Sequence, residues 1–228
     1  MTRIVALLFM GLVLFIAGCE KNNSVPEVEA LVYEQAKPIS PFLLTDQHGA
    51  PADNSQFMDH WNLVFLGYTS CPDICPMTLA KLTAIQKQLS QDYKVQVWFV
   101  AVDPKRDTTE KRKAYIDYFN PNFLAVSGPH KQLFPFVREL GLIYAINDSD
   151  QQEYAVDHSA SVVLVDPTGS VRAIFKPQFK QGNVPLVDAS KLTEEFKLIA
   201  DYYAEQSISL AIFANNSKYI FCHNSLSY

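Results

Sequence analysis

The sequence predicts an α/β domain with a mixed central sheet, and three features of its hydrophobic pattern support that fold class. Residues 62–68 and 94–102 are rich in apolar, β-branched and aromatic residues, as is typical of strands covered on both faces. Each of these runs is followed by a segment with helical spacing of its apolar residues. Two further strand-like runs, 161–165 and 171–175, flank a turn at 166–169 and predict a hairpin before a final helix.

The remaining elements follow from turn and capping residues. Residues 42–44 predict a short strand that runs into a turn at 46–49, and Pro76 favours the first turn of a helix that continues to residues 88–90. Asp103-Pro104 ends the second long strand, and Thr108 or Thr109 caps a helix that runs to Phe119. Two more helices are predicted, at 130–140 with Gly141 closing it, and at 189–204.

The N-terminus predicts export and attachment to a membrane. A short basic start precedes an apolar run at 4–16, which is too short for a comfortable membrane-spanning helix. The run ends in Ala17-Gly18-Cys19, which resembles a bacterial lipoprotein signal with Cys19 as the lipidated residue. A signal anchor with an incidental cysteine is the alternative. Either interpretation places the domain outside the cytoplasm, on the periplasmic side of a bacterial membrane.

The chain therefore divides into four predicted regions. Residues 1–18 are a signal peptide, 19–37 a polar linker from the lipid, 38–205 the folded domain, and 206–228 a tail whose structure the sequence does not define. An asparagine-rich turn signal at 215–217 suggests an extra hairpin, a packing strand or an extension there. The net charge of −5, with no block of basic residues, excludes a typical nucleic-acid-binding protein.

Cys71 and Cys75 lie in a loop between the first long strand and the helix that contains Pro76. Thiols at the N-terminus of a helix have lowered pKa values, which favours the thiolate that binds metals or attacks disulfides. Two cysteines in a large domain do not form a disulfide scaffold. The pair therefore indicates chemistry, and two thiolates at this spacing converge on one soft ion such as Cu(I).

The stretch from Gly67 to Pro76, with the pattern Cys-Pro-x-x-Cys-Pro after Gly-Tyr, resembles the Sco/SenC family of copper-binding proteins. Two further stretches extend the resemblance, 103–108 (DPKRDT) and 156–169 (VDHS followed by VVLVDPTG). Together they cover roughly residues 38–205. The resemblance implies a thioredoxin-like fold, one bound copper as Cu(I) or Cu(II), and delivery of that copper to the Cu-A centre of cytochrome c oxidase. Another respiratory copper protein as target, or a second copper chaperone as partner, is also consistent with it.

A site with two thiolates needs a third ligand, and His158 is the candidate. In the thioredoxin-like arrangement that the resemblance implies, the strand after it runs antiparallel to the one before the cysteines, so His158 would face the cysteine loop. The resemblance assigns the same histidine as the third copper ligand. Asp157 beside it would orient the imidazole ring or tune the charge of the site, unless it is only a carboxylate in a surface turn.

Other candidates have simpler interpretations. We expect Asp73 at the helix start, Met77 packed in the core, the 103–107 segment as a strand end and helix cap, and the other histidines on the surface: His48, His60 and His130. Cys222-His223 would form a second metal site only with further ligands, which the sequence does not show.

Three functions compete. The first is a metallochaperone rather than an enzyme, with copper held by Cys71, Cys75 and His158. The second is a thiol–disulfide oxidoreductase that uses the cysteine pair and keeps target cysteines reduced, although the spacing is Cys-x-x-x-Cys and residues 159–161 lack the proline found there in thioredoxins. The third is a structural lipoprotein with a static bridge, which would stabilise little because it closes so small a loop.

Overall fold

The computed structural model describes residues 24–146, 154–179 and 181–223, with side chains of the last helix described as far as residue 206. Its elements, in chain order, are β1 (Leu31–Pro38), β2 (Leu44–Thr45), β3 (Pro51–Ala52), a 3-10 helix (Asn54–Phe57), β4 (Trp61–Gly67), α1 (Ile74–Leu89), β5 (Val95–Ala101), α2 (Thr109–Phe119), β6 (Leu124–Val126), α3 (His130–Glu139), β7 (Tyr144–Ile146), β8 (Val156–His158), β9 (Val162–Val165), β10 (Ser170–Phe175) and α4 (Ala189–His223).

Six strands form the central sheet in the order β1-β10-β9-β4-β5-β6. β4, β5 and β6 run parallel, whereas β9 is antiparallel to β4, β10 to β9 and β1 to β10. β2 pairs with β3 and β7 with β8 in two separate antiparallel ribbons. The predicted α/β class with a mixed sheet is confirmed, as is the antiparallel direction of the strand after His158.

Large aromatic side chains fill both sides of the sheet. On β5, Phe99 meets Tyr115 of α2 with ring centroids 5.5 Å apart, whereas Trp98 stacks on Phe57 of the 3-10 helix at 4.2 Å. Because consecutive strand residues point to opposite faces, α2 and the 3-10 helix cover opposite sides. Phe136 of α3 lies on the Phe57 side. The unbroken apolar runs of β4 and β5 follow from this double coverage.

The chain enters the sheet earlier than expected. Residues 31–37 form most of β1, which is hydrogen-bonded to β10 at the edge of the sheet, so the expected linker 19–37 is wrong over this stretch. The Glu195 carboxylate of α4 accepts hydrogen bonds from the amides of Glu29 and Ala30 at 2.8 and 3.2 Å. Tyr203 of α4 donates to the carbonyl of Tyr33. Because β1 is an exposed edge strand of mixed polarity, its sequence resembles that of a linker.

The last helix begins at Ala189, as predicted, but its backbone remains helical to His223. The expected end near residue 204 and the expected turn at 215–217 are therefore wrong. Among the described residues, no helix combines the length and apolar character required to cross a membrane. The predicted signal peptide and Cys19 lie outside the described residues.

Candidate metal centre

The cysteine loop lies at the carboxyl end of β4, the edge at which open α/β sheets place their sites. β4 ends at Gly67, Cys71 lies in the loop, and α1 begins at Ile74, so that Cys75 is the second helical residue and Pro76 the third. Pro76 in the first turn costs no backbone hydrogen bond. Cys71 is half-buried and Cys75 is buried. Both thiols therefore lie at the start of a helix, as the sequence predicted.

His158 completes a compact group with these cysteines. It is the last residue of β8, and its Nε2 atom lies 3.4 Å from the Sγ atom of Cys75. The amide of Cys75 donates to the Sγ atom of Cys71 at 3.4 Å. One ligand atom from each of the three residues lies within 4.8 Å of the others, and the described part of the chain contains no second such group. The structure thus brings together the three residues singled out in the sequence.

Gly67 allows Cys75 to lie this close to the sheet. A Cβ atom at Gly67 would lie 2.9 Å from the Sγ atom of Cys75 and 2.6 Å from the Cε2 atom of Phe99. Carbon atoms in contact are normally about 3.5–4.0 Å apart. The absence of a side chain at the end of β4 is therefore what makes room for the buried thiol.

Two aromatic rings and a backbone carbonyl surround the imidazole of His158. Phe65 and Tyr68 meet it in T-shaped contacts, each with ring centroids 6.0 Å apart. Its Nδ1 atom lies 3.1 Å from the carbonyl oxygen of Ser159. When Nδ1 donates to that oxygen, the lone pair on Nε2 faces the cysteines and is free to bind a metal.

Asp157 lies on β8 next to His158 and is exposed. Neighbouring residues of a strand point to opposite sides, so its carboxylate lies on the alternate face from the ligand ring. The contact to Ser159 supplies an orienting partner for the imidazole. An orienting role for Asp157 therefore stays a prediction.

The two thiols have opposite electrostatic environments. A hydrogen bond from Cys75 is the main cause that lowers the pKa of Cys71, to about 4, with further help from His158 and from backbone amides, while burial opposes it. Burial is the main cause that raises the pKa of Cys75, and the neighbouring Cys71 adds to it. The first thiolate therefore forms on Cys71. A metal that binds Cys75 would have to displace its proton.

The 103–107 turn contacts the site, so the expectation that it serves only as a strand end and helix cap is incomplete. Thr108 caps α2 as predicted, by accepting a hydrogen bond from the amide of Lys111. The buried carboxylate of Asp107, however, accepts hydrogen bonds from the amide and hydroxyl of Thr69 at 3.0 and 2.6 Å. Burial raises the pKa of Asp107 to about 6, although the Thr69 hydrogen bonds lower it. The turn is thus a support for the cysteine loop as well as a helix cap.

Other residues from the sequence analysis add no ligand atom to this group. Asp73 occupies the N-cap position of α1 and is exposed. Met77 is 45% exposed, so the expectation that it packs in the core is wrong. His48 is exposed, His60 is half-buried, and the Nδ1 atom of His130 lies 2.8 Å from the hydroxyl of Tyr144. Cys222 and His223 are consecutive backbone positions at the end of α4, and their side chains lie outside the described part of the structure.

Comparison with known proteins gives consistent matches across the domain. Residues 32–192 match the family described as SCO1/SenC. An SCO2-like protein of Rickettsia prowazekii is 40% identical over 143 residues, which cover 60% of this chain and 69% of the relative.

Two solved structures resemble the fold closely. Arabidopsis thaliana ScoI with copper bound has a TM-score of 0.62 and 27% identity, over 72% of this chain and 99% of that one. Apo Sco1 of Thermus thermophilus has a TM-score of 0.60 and 31% identity, over 78% and 96% of the two chains. The resemblance includes the thioredoxin-like arrangement expected from the sequence motifs.

Proposed function

The chain belongs to the SCO1/SenC family, and on that premise we propose that it is a copper metallochaperone. It binds one copper ion through Cys71, Cys75 and His158 and passes that ion to a respiratory copper protein. The observation that carries this proposal is the convergence of three ligand atoms within 4.8 Å at the edge of the sheet. The relative solved with copper bound supports copper as the cargo.

The donor set suits copper in both oxidation states. Thiolates favour Cu(I), and an imidazole is an equally good ligand for Cu(II). Structural zinc sites, by contrast, usually have four protein ligands. Three ligands leave a coordination position open, and the half-buried Cys71 lies on the accessible side. A cysteine of the partner could therefore bind the ion before Cys71 releases it, and transfer would proceed by exchange of thiolates.

The raised pKa of Cys75 favours release of the ion. Burial raises the pKa of the Cys75 thiol, and copper must displace the proton from it. Protonation of Cys75 therefore competes with metal binding. Once a partner ligand has replaced Cys71 on the ion, return of that proton to Cys75 would help the ion to leave. This competition between proton and metal is suited to transfer rather than storage.

Location and partner are the further parts of the proposal. Lipid on Cys19, after removal of residues 1–18, would hold the domain at the periplasmic face of a bacterial membrane. Residues 20–28 connect that anchor to the folded domain and, fully extended, would reach about 30 Å. The resemblance to the family favours the Cu-A subunit of cytochrome c oxidase as the recipient and a second copper chaperone as the donor.

The pair Cys71 and Cys75 also favours a second candidate, a thiol–disulfide oxidoreductase. The lowered pKa of Cys71 makes it a thiolate at neutral pH, and the Sγ atom of Cys75 lies within 4.8 Å. A thiolate beside a second thiol can attack the disulfide of a target and then be released by the second sulfur. This activity would need both cysteines but would not need the imidazole of His158.

An anaerobic copper titration of the full chain in detergent tests the proposal. We expect one copper per chain in the wild type and loss of tight binding in Cys71→Ser and in Cys75→Ser, because each change removes a thiolate. Cys222→Ser is the matched control, since it makes the same chemical change outside the group. If both Cys71→Ser and Cys75→Ser bound copper like the wild type, the ligand assignment would be wrong. A parallel assay of disulfide reduction by the same variants distinguishes the second candidate.

A further inference from the structure

We propose that Arg106 is a positioning residue for His158. Its guanidinium lies near the rings of both Tyr154 and Tyr68, and it thereby fixes the β7–β8 ribbon against the 103–107 turn that also supports the cysteine loop. The inference rests on the proposed function, since it concerns how the third ligand of the same site is held. It assigns a role to Arg106, which itself contacts none of the three ligands.

Arg106 contacts two aromatic rings and one carboxylate. The Cζ atom lies 3.7 Å from the ring centroid of Tyr154 and 5.5 Å from that of Tyr68. Its Nε atom pairs with the carboxylate of Asp103. Its buried Nη2 atom has no hydrogen-bond partner in the described part of the chain. The arrangement is a cation held over aromatic rings, an interaction that gains strength when water is excluded.

Tyr154 transmits this contact to the ribbon. Its hydroxyl donates to the Oδ1 atom of the buried Asp103 at 2.6 Å, so that both its ring and its hydroxyl are held by the 103–107 turn. Tyr154 lies two residues before β8 and four before His158. Tyr68, the second ring beside Arg106, meets the imidazole of His158 in a T-shaped contact. The arginine therefore acts on His158 from two directions, through the chain and through a neighbouring ring.

The 103–107 turn is well fixed. The amides of Arg106 and Asp107 donate to the carbonyl of Asp103 at 3.1 and 2.8 Å. The buried Arg112 donates to the carbonyl of Asp107 at 2.8 Å. On its other side, Asp107 holds the loop before Cys71 through Thr69. Because one rigid turn contacts both the cysteine loop and the ribbon, it sets the position of the histidine relative to the thiols.

The ribbon has few backbone partners. β7 and β8 have three residues each and pair only with each other. β7 is held against α3, where Tyr144 stacks on Phe134 with ring centroids 4.5 Å apart, and the contacts of Arg106 and Tyr154 add an anchor at the β8 end, which carries His158. Without Arg106, the imidazole would occupy more positions before metal binding, and binding would have to restrict them. Loss of groups that orient a ligand typically weakens metal affinity by about 10–100-fold.

The first test measures copper affinity of the full chain by competition with a chelator. Arg106→Ala should weaken binding by about 10-fold. Arg106→Lys keeps the charge but loses the planar guanidinium, so its copper affinity should stay close to that of Arg106→Ala. Lys111→Ala is the matched control, since it removes the same charge from an exposed position at the start of α2. Tyr154→Ala removes the stacking partner instead of the arginine and should reproduce the effect, which keeps the test valid if Arg106→Ala does not fold.

A double-mutant cycle separates positioning from a general loss of stability. In a His158→Ala background there is no imidazole to position, so Arg106→Ala should cause no further loss of affinity. Additive losses would overturn the inference. So would normal affinity in both Arg106→Ala and Tyr154→Ala while His158→Ala is weakened.

A readout without metal tests the same inference independently of the proposed function. In the apo protein, Arg106→Ala should increase amide hydrogen exchange in residues 154–158 while β4 stays protected, because only the ribbon loses its anchor. Unchanged exchange in the ribbon would contradict the proposed contact. If the wild type bound no copper yet the ribbon was released in Arg106→Ala, the metallochaperone proposal would fail and the positioning contact would stand.

Discussion

Substitution of Gly67 by alanine tests whether the position of the buried thiol depends on the absence of a side chain at the end of β4. The new Cβ atom would lie 2.9 Å from the Sγ atom of Cys75 and 2.6 Å from a ring carbon of Phe99. Normal contacts are about 3.5–4.0 Å, so each neighbour must move by about 0.6–1 Å or share the movement with the strand. Metal sites accept deviations of only about 0.2 Å in ligand distances.

Two effects should follow from this overlap. Overpacking of a core costs typically about 1–3 kcal/mol, so Gly67→Ala should lower the free energy of unfolding by that amount. Displacement of Sγ from its place 3.4 Å from His158 should also weaken copper binding, by about 10–100-fold. Urea denaturation measures the first effect, and chelator competition measures the second.

Gly128→Ala is the matched control for this experiment. Its Cβ atom would meet the Cδ2 atom of Leu44 at 2.8 Å, which is a comparable overlap with no contact to either cysteine. It should reduce stability and leave copper affinity unchanged. The reasoning would be refuted if Gly67→Ala bound copper as tightly as the wild type, or if the two glycine variants lost affinity equally.

Three further predictions concern individual residues. His158→Ala should weaken copper binding at least 10-fold while Cys71 and Cys75 still oxidise to a disulfide, as thiol titration would show; unchanged affinity and oxidase activity in cells would favour the oxidoreductase instead. Cys222→Ser should leave one copper per chain by metal analysis, since Cys222 lies beyond the family match, and a drop from two coppers in the wild type to one in the variant would reveal a second site. For Asp107, the folded-state pKa of about 6 lies above the usual 3.8, so the folded state binds this proton more tightly than the unfolded state does. The resulting contribution to the free energy of unfolding is fully present below pH 3.8 and is lost as pH rises through 6. Urea denaturation from pH 4 to 7 should therefore show Asp107→Asn gaining stability relative to the wild type, by about 3 kcal/mol at most; parallel pH profiles would contradict this.

The sequence predicted those parts of the fold that have a strong local pattern. The buried strands, the hairpin and the start of each long helix carry apolar runs, turn residues or caps that are local in sequence. β1 has no such pattern, because an edge strand with most side chains exposed is stabilised by backbone pairing with β10 and by contacts from α4. Those partners are more than 130 residues away in the chain, so propensity alone could not identify them.

The residues of the site also differ in how far the sequence could identify them. Cys71 and Cys75 were found from their spacing and from their place between a strand and a helix. His158 was identified from the antiparallel strand that follows it, together with the resemblance to a family. Met77 was misplaced because helical spacing gives no sign of which face the sheet covers in the first turn, and the side chain proves to be 45% exposed.

The supporting residues could not be predicted from spacing, and the reason is physical. A ligand is limited to a few side-chain types, so cysteine and histidine are recognisable even when far apart in sequence. Arg106 and Tyr154 are 48 positions apart, and an arginine near a tyrosine is an ordinary surface combination until the fold places the two half-buried side chains in contact. The pair is relevant to the site because the 103–107 turn also binds Thr69 in the cysteine loop. The ligand types determine which metals the site prefers. The positions of those ligands depend on contacts between common residue types that only the folded chain brings together.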